Sequence, residues 1–561
     1  MTWSQPVDPL HNLVLSALIA VIPIVFIFWV LIIKKVKGYK ASLMGLAVAL
    51  LIAVLIYRMP VKLALLSTVH GALYGIFPIC WIVITVIFLF NITLKSGQFE
   101  IIKHSMAAIT PDRRLQALLI AFSFGAFLEG TAGFGAPVAI TAALLAGLGF
   151  DAFYAAGICL IANTAPVAFG SIGIPITVAS QVSGIPELVL SQMIGRTLPL
   201  LSLALPFYLV ILIAGFRRTM EVLPAILVSG ISFAVLQWSC SNYLGPGLPD
   251  IIAGIGSIVC LTAFLKYWKP RRVWRFQGEE GPAAEKMTYS TAQVLRAWSP
   301  FLLLTVIIIA WGLPPVRRLL DAASFKFAVP GIDQVIRDYK NNLLPHVFNF
   351  NFLSAAGTAA LVSALLALPL AGLTFKEGMK LFADTLRQLK YPILTIAAIL
   401  AFAYIVNDSG ITITIANALA GTGFLYPFFA PVLGWLGVFI TGSDTSSNAL
   451  FGKLQYATAG SIGVSPVVTV AANSSGGVVG KMISPQSIAV ATAAVGLIGK
   501  EARLFRFTVK HSLFMLFFIA LLTFAQAYYL KWTVPSMPEK AVTTAPSLLP
   551  SKERSASAVG E

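Results

Sequence analysis

From residue 13 onward, long apolar runs alternate with short polar segments. The stretch LVLSALIAVIPIVFIFWVLII (13–33) is uncharged and reaches the roughly 20 residues needed to cross about 30 Å of hydrocarbon. Comparable runs lie at about 41–57, 70–94, 198–215, 222–240, 249–265, 297–312, 352–372, 391–406 and 511–530. Lipid offers no partner for a backbone N–H or C=O, so such runs must be helices that satisfy their own groups. The pattern predicts an all-α polytopic membrane protein.

Four polar stretches interrupt the apolar regions: LEGTAGFGAPVA (128–139), NTAPVAFGSIGIPITVA (163–179), ITGSDTSSNALF (440–451) and NSSGGVVGKMISPQSIA (473–489). The first and third sit mid-way in regions of about 117–150 and 427–456, which predicts re-entrant hairpins. The second and fourth predict interrupted transmembrane helices at about 152–180 and 466–486. Asn163, Gly170, Pro175 and Ala179 recur as Asn473, Gly480, Pro485 and Ala489 at one constant spacing. FGAFLEG (124–130) likewise lies over LGVFITG (436–442). Counting crossings from a cytoplasmic KKVKGYK (34–40) runs the 70–94 span inward and the 391–406 span outward. Two inverted-topology repeats follow, 1–215 and 297–530, joined by two transmembrane helices and a basic cytoplasmic loop in 216–296. The Pro/Ser/Lys-rich segment 531–561 is expected to be a disordered tail. Inverted repeats with broken helices are the sequence signature of secondary transporters.

Composition agrees. The chain has 561 residues, 58% hydrophobic and 11% charged, where a soluble domain carries about 25% charged residues. The formal charge of +17 sits in short loops, as the positive-inside rule requires, and implies orientation and lipid contact rather than nucleic acid. Cys80, Cys159, Cys240 and Cys260 lie singly in apolar runs and read as packed thiols. No metal-ligand spacing, HExxH or GxSxG stands in the sequence, so no cofactor, metal or catalytic residue is expected and the chain does not read as an enzyme.

A broken helix exposes N–H groups and a positive dipole end, which together suit an anion. Asn163, Thr164, Asn473, Ser474, Ser475, Ser446 and Asn448 are candidate substrate-binding donors, with half-helix starts expected near Asn163 and Asn473. Gln486 would donate to a substrate hydroxyl. Lys481 would balance a carboxylate, pair with a hairpin acid, or snorkel to the inner surface. Charges inside a membrane are expensive and mark function. Glu129 and Asp444, at the hairpin tips, are therefore the candidate proton-coupling groups, since a carboxyl in low dielectric can exchange a proton near neutral pH. His70, at the start of a span, is a further relay candidate or an interfacial histidine. Arg196 reads as an interfacial anchor.

LEGTAGFGAPVAIT (128–141), NTAPVAFGSIGIPI (163–176), GWLGVFITGSDTSSNALF (434–451), GKMISPQSIA (480–489) and LFRFTVKHSL (504–513) resemble signature stretches of the bacterial L-lactate permease family, which includes glycolate permease. The resemblance covers nearly the whole chain. It implies proton-coupled uptake of 2-hydroxymonocarboxylates (L-lactate, D-lactate, glycolate) across the bacterial inner membrane, with a homodimer compatible with it. By looser analogy it implies an ion-transporter-like fold whose hairpin-bearing part moves against a scaffold, as in elevator-type carriers. Two positions depart from the family's pattern: Thr131 stands in place of Ala, and Asn407–Asp408 in place of Asn–Tyr. A sodium-coupled carboxylate transporter of the same fold is the alternative, because the SDTSSN and NSS stretches could hold Na⁺.

Overall fold

The computed structural model describes residues 2–34, 36–131, 133, 135–276, 289–338, 341–497 and 500–537. Most of the tail expected to be disordered, 538–561, and part of the basic loop, 277–288, lie outside the described residues. Among the described residues, ten helices are long and apolar enough to cross a membrane, or up to eleven if the bent pair Ala152–Ala162 and Val167–Ser183 counts as one. The protein is an all-α polytopic membrane protein. Among the described residues, strands are confined to two two-stranded sheets, Trp3–Ser4 with Ile336–Arg337 and Phe325–Ala328 with Val347–Phe350.

Several helices run beyond their apolar stretches. The run expected at 391–406 belongs to Phe375–Asp408, which starts 16 residues earlier under a capping box in which Thr374 and Glu377 satisfy each other's backbone N–H groups. Hydropathy marks only the part in hydrocarbon, whereas the cap marks where the helix begins. His70 consequently falls well inside the span Val61–Lys95 and not at its start.

Element order repeats along the chain. The 10-residue helix Gln98–Ala107 has a 10-residue counterpart at Ile411–Ala420. The 28-residue helix Glu187–Ala214 has one of 28 residues at Glu501–Tyr528. Packing is exchanged between the halves. Leu13–Ile32 contacts Ile411–Ala420 as Thr291–Gly312 contacts Gln98–Ala107; Ala152–Ala162 contacts Glu501–Tyr528 as Pro466–Lys481 contacts Glu187–Ala214. The counterpart spans Val61–Lys95 and Phe375–Asp408 lie side by side. The Ser67 hydroxyl donates to Asp408 at 2.6 Å, Gly71 sits against Leu400, and the Asn91 amide donates to Thr385 at 2.9 Å. Numbers rise along one helix while they fall along the other. The two equivalents are therefore antiparallel, as inverted topology demands.

Both hairpins form. The first turns between Thr131 and Ala136, the second between Thr441 and Asp444. Arg114 anchors the base of the first hairpin. Fully buried, it donates to Asp112 (2.8 and 3.0 Å), Glu221 (2.9 Å) and the Arg218 and Arg272 carbonyls (2.7 and 3.0 Å). Every guanidinium nitrogen has a partner, which is what makes burial of this charge tolerable.

The second interruption falls within the expected 473–489 stretch but late in it, and no half-helix starts near Asn473. Helix Pro466–Lys481 runs unbroken through Asn473–Gly477, ends at Lys481, and the chain restarts at Pro485. The small residues serve packing. A Cβ on Gly480 would lie 2.5 Å from the Trp435 carbonyl, and Gly434 and Gly476 meet the backbones of Asn473 and Pro431. Gly476 and Gly480 form a GxxxG face that lets this helix approach Tyr426–Thr441 closely.

Candidate functional site

Four helix starts, two from each repeat, border one cavity of about 70 Å³. The second arm of the first hairpin contributes Gly135, and the restarted first broken span contributes Ser171 and Pro175. Asp444 and Thr445 begin the second arm of the second hairpin, and Gln486 and Ser487 begin Pro485–Ala494. The caps Ser443 and Ser484 accept from the N–H groups of Ser446 (3.3 Å) and Ser487 (3.2 Å). Other first-turn N–H groups have no intrahelical carbonyl, and each start carries about half a positive charge. A water needs about 10–15 Å³ on this scale, so the space suits a few waters or a small organic anion.

Glu129 and Lys481 line the same cavity and are bonded to each other, Nζ to Oε1 at 2.6 Å. The Asn163 amide donates to Glu129 Oε2 at 2.9 Å. Lys481 is only 7% exposed, which excludes the snorkelling reading, and in this structure it pairs with the hairpin acid Glu129. A Cβ on Gly170 would come 2.8 Å from Glu129 Oε1, so a glycine is required there for the carboxylate to reach the ammonium. Across the cavity, Asp444 Oδ2 accepts from Ser474 and, at 3.4 Å, from the Asn448 amide. Its Oδ1 has no hydrogen-bond partner.

Of the residues singled out from sequence, Glu129, Asp444, Lys481 and Gln486 border the cavity. The others do not. Asn163 caps the end of the first half-helix rather than starting the second, and its contact with the site is its bond to Glu129. Thr164 donates to the Ile161 carbonyl at 2.6 Å. Asn473 is interior to a continuous helix and donates to Asn448 Oδ1 at 2.9 Å, while Gln455 donates to Asn473 Oδ1 at 3.2 Å. Asn448 also donates to the Pro175 carbonyl at 3.0 Å, tying the second hairpin to the first broken span. Ser446 bonds its cap, and Ser475 is buried with its hydroxyl unpartnered. These groups brace the wall that carries Asp444. His70 belongs to a separate cluster with Tyr74, Tyr404, His346 and Phe348. Arg196 joins Asn242 (2.9 Å) to the Thr533 carbonyl (2.9 Å).

Two features were not read from the sequence. Ser171, Ile172 and Gly173 are consecutively left-handed, with φ of 47°, 59° and 74°. A β-branched residue in that region is costly and persists only where packing enforces it. Here Pro246 and Gly247, from the loop joining the two inserted helices, pack on Gly173 and Ile172. The second feature is Asp250, wholly buried in the first turn of Pro249–Tyr267. Its only sequence signal is a lone acid opening an apolar span. Among the described residues, no group of three or more His, Cys, Asp or Glu could hold a metal ion.

Comparison with known proteins places the chain in a family. A profile of the L-lactate permease family matches residues 16–530. The chain is 54% identical to an L-lactate permease of Bacillus subtilis over 95% of its own length and all of that chain. It is 51% identical to an L-lactate permease of Escherichia coli K12, again over 95% and 100%. Glycolate permease GlcA of the same strain is 49% identical over 94% and 98%. The chain belongs to the L-lactate permease family. It is a permease and not an enzyme, a multi-pass protein of the bacterial plasma membrane.

Proposed function

We propose that this permease carries small 2-hydroxymonocarboxylates (L-lactate, D-lactate and glycolate) into the cell in symport with protons. The names of its relatives support the substrate class. The observation that carries the coupling is the Lys481–Glu129 pair, the ion pair that lines the cavity bordered by four helix starts.

The pair explains why anion and proton would travel together. With Glu129 ionised, Lys481 is neutralised by it, and an entering carboxylate meets no free cation. A proton on Glu129 removes that competitor, and the ammonium then needs a new counter-charge in a dry site, where an unpaired ion costs several kcal/mol. The substrate carboxylate supplies it, with further donors at the starts of Asp444–Ile462 and Pro485–Ala494. Gln486 faces the same space and can donate to the 2-hydroxyl. Neither ligand is stable there without the other, which is the thermodynamic content of symport. The loaded cavity then changes sides as the hairpins and broken spans shift against the spans Val61–Lys95 and Phe375–Asp408.

Radiolabelled L-lactate uptake into proteoliposomes, under an imposed proton gradient or an imposed sodium gradient, tests the proposal. Accumulation driven by the proton gradient alone supports it. Accumulation that requires sodium gives the coupling to Na⁺ instead.

A further inference from the structure

The inserted pair of helices reaches the edge of this site. Helix Pro249–Tyr267 packs on the end of the first hairpin's leading arm through two glycines. A Cβ on Gly130 would lie 2.8 Å from Asp250 Cβ, and one on Gly254 would lie 2.8 Å from the Phe127 nitrogen. The close approach sets Asp250 against the chain neighbour of Glu129.

Asp250 is 0% exposed, and neither carboxyl oxygen has a hydrogen-bond partner. The nearby Gln237 amide gives one N–H to the Ala165 carbonyl at 3.1 Å, its oxygen accepts from Ser202 at 2.7 Å, and its second N–H is the one donor turned toward Asp250. The charged groups whose field reaches Asp250 are Glu129 and Lys481, which are bonded to each other. An ionised carboxylate whose one nearby donor makes no close bond, beside a second carboxylate, is among the least tolerable buried groups. The start of its own helix offsets that cost only in part. A buried carboxyl left without a close hydrogen bond calls for an explanation. Structural filling is a poor one, because an apolar residue of similar size would serve better.

We propose that Asp250 is a second proton carrier of the transport cycle, neutral in this conformation and placed to pass its proton to Glu129. This inference rests on the proton-symport reading. The carboxyl O–H bond of Asp250 breaks and one forms on a Glu129 oxygen. Asp250 becomes the carboxylate, and Lys481 is released to the substrate. Asp250 then regains a proton from the aqueous side. One proton enters with one monocarboxylate, so the transfer leaves the charge of the site unchanged.

The test uses the reconstituted full-length chain. With Asp250→Asn, lactate accumulation under a proton gradient should fall on the order of 100-fold, while lactate–lactate exchange at equal pH, which moves no net protons, continues. Wild-type accumulation by this variant would overturn the proposal. A second readout does not depend on the Asp250 variant. With ¹³C-labelled aspartate carboxyls, the Asp444→Asn protein should retain, at neutral pH, the D₂O-sensitive infrared band of a protonated aspartic acid. Absence of that band refutes a neutral Asp250. Should wild-type uptake ignore the proton gradient, the symport reading fails by itself, and the infrared band still reports on Asp250.

Discussion

Lys481 and Glu129 stand 352 positions apart in the chain, one from each repeat, and meet at 2.6 Å in the wall of a shared cavity. The contact exists because each repeat brings a different polar element to the same depth. The first hairpin carries the acid, and the end of Pro466–Lys481 carries the base. A pair so buried contributes little net stability, but removing one partner strands a charge.

Unequal costs for single and double substitutions follow. Lys481→Met leaves Glu129 buried and unpaired and should destabilise by about 3–5 kcal/mol. Lys481→Met combined with Glu129→Gln should recover most of that loss. Thermal unfolding of the purified variants in detergent checks this. Both variants should lose lactate binding, because neither retains a cation in the cavity.

Close approach to Glu129 makes Gly170 intolerant. A methyl group there would stand 2.8 Å from Oε1, within a wall already held by a left-handed turn. Gly170→Ala should push the carboxylate off Lys481 and destabilise by about 1–3 kcal/mol. In uptake assays the apparent affinity should weaken more than protein abundance falls. An equal change in both would indicate misfolding alone.

The base of the first hairpin predicts a stability effect far from the cavity. Arg114→Lys keeps the charge but cannot reproduce the two-pronged contact with Asp112 or reach the Glu221, Arg218 and Arg272 acceptors together. Buried acceptors left unmade cost about 1–3 kcal/mol each. The melting temperature should therefore drop clearly, while lactate affinity of the folded fraction stays near wild type.

A pH effect is expected outside the spans. His346, in the segment between Thr291–Gly312 and Ala356–Leu370, contacts Asp408 Oδ2 at 3.1 Å, and Ser67 donates to the same oxygen at 2.6 Å. Burial disfavours the imidazolium, but the bond and charge of Asp408, the Leu344 carbonyl and Asp333 outweigh it and raise the His346 pKa above its ordinary value. A group whose pKa is raised on folding contributes stability that is full below the unfolded value, near 6.5. That stability is lost as pH rises through the folded value. Wild-type melting temperature should thus be higher at about pH 5.5 than at about pH 8, beyond the general trend. Asp408→Asn should flatten the difference.

Much of this was legible in the chain, and the misses have physical causes. Hydropathy finds spans because lipid forces them. Glu129, Asp444 and Lys481 stood out because buried charge is costly and rare. Their partners did not, since the Asn163–Glu129 and Lys481–Glu129 bonds depend on how two repeats dock. The stretch Asn473–Gly477 looked like a break because Gly and Ser also favour breaks, yet Gly476 and Gly480 serve close helix contact. Asp250 escaped notice because an acid in a helix's first turn is ordinary. Only the glycine-mediated contact with the first hairpin makes it unusual.

The central claim is that a proton on Glu129 frees Lys481 for the substrate. Lactate accumulation by Glu129→Gln proteoliposomes under an imposed proton gradient tests it most directly, because glutamine fixes the neutral state. The variant should bind and exchange lactate but only equilibrate it, with no accumulation above the external concentration. Accumulation equal to wild type would contradict the claim.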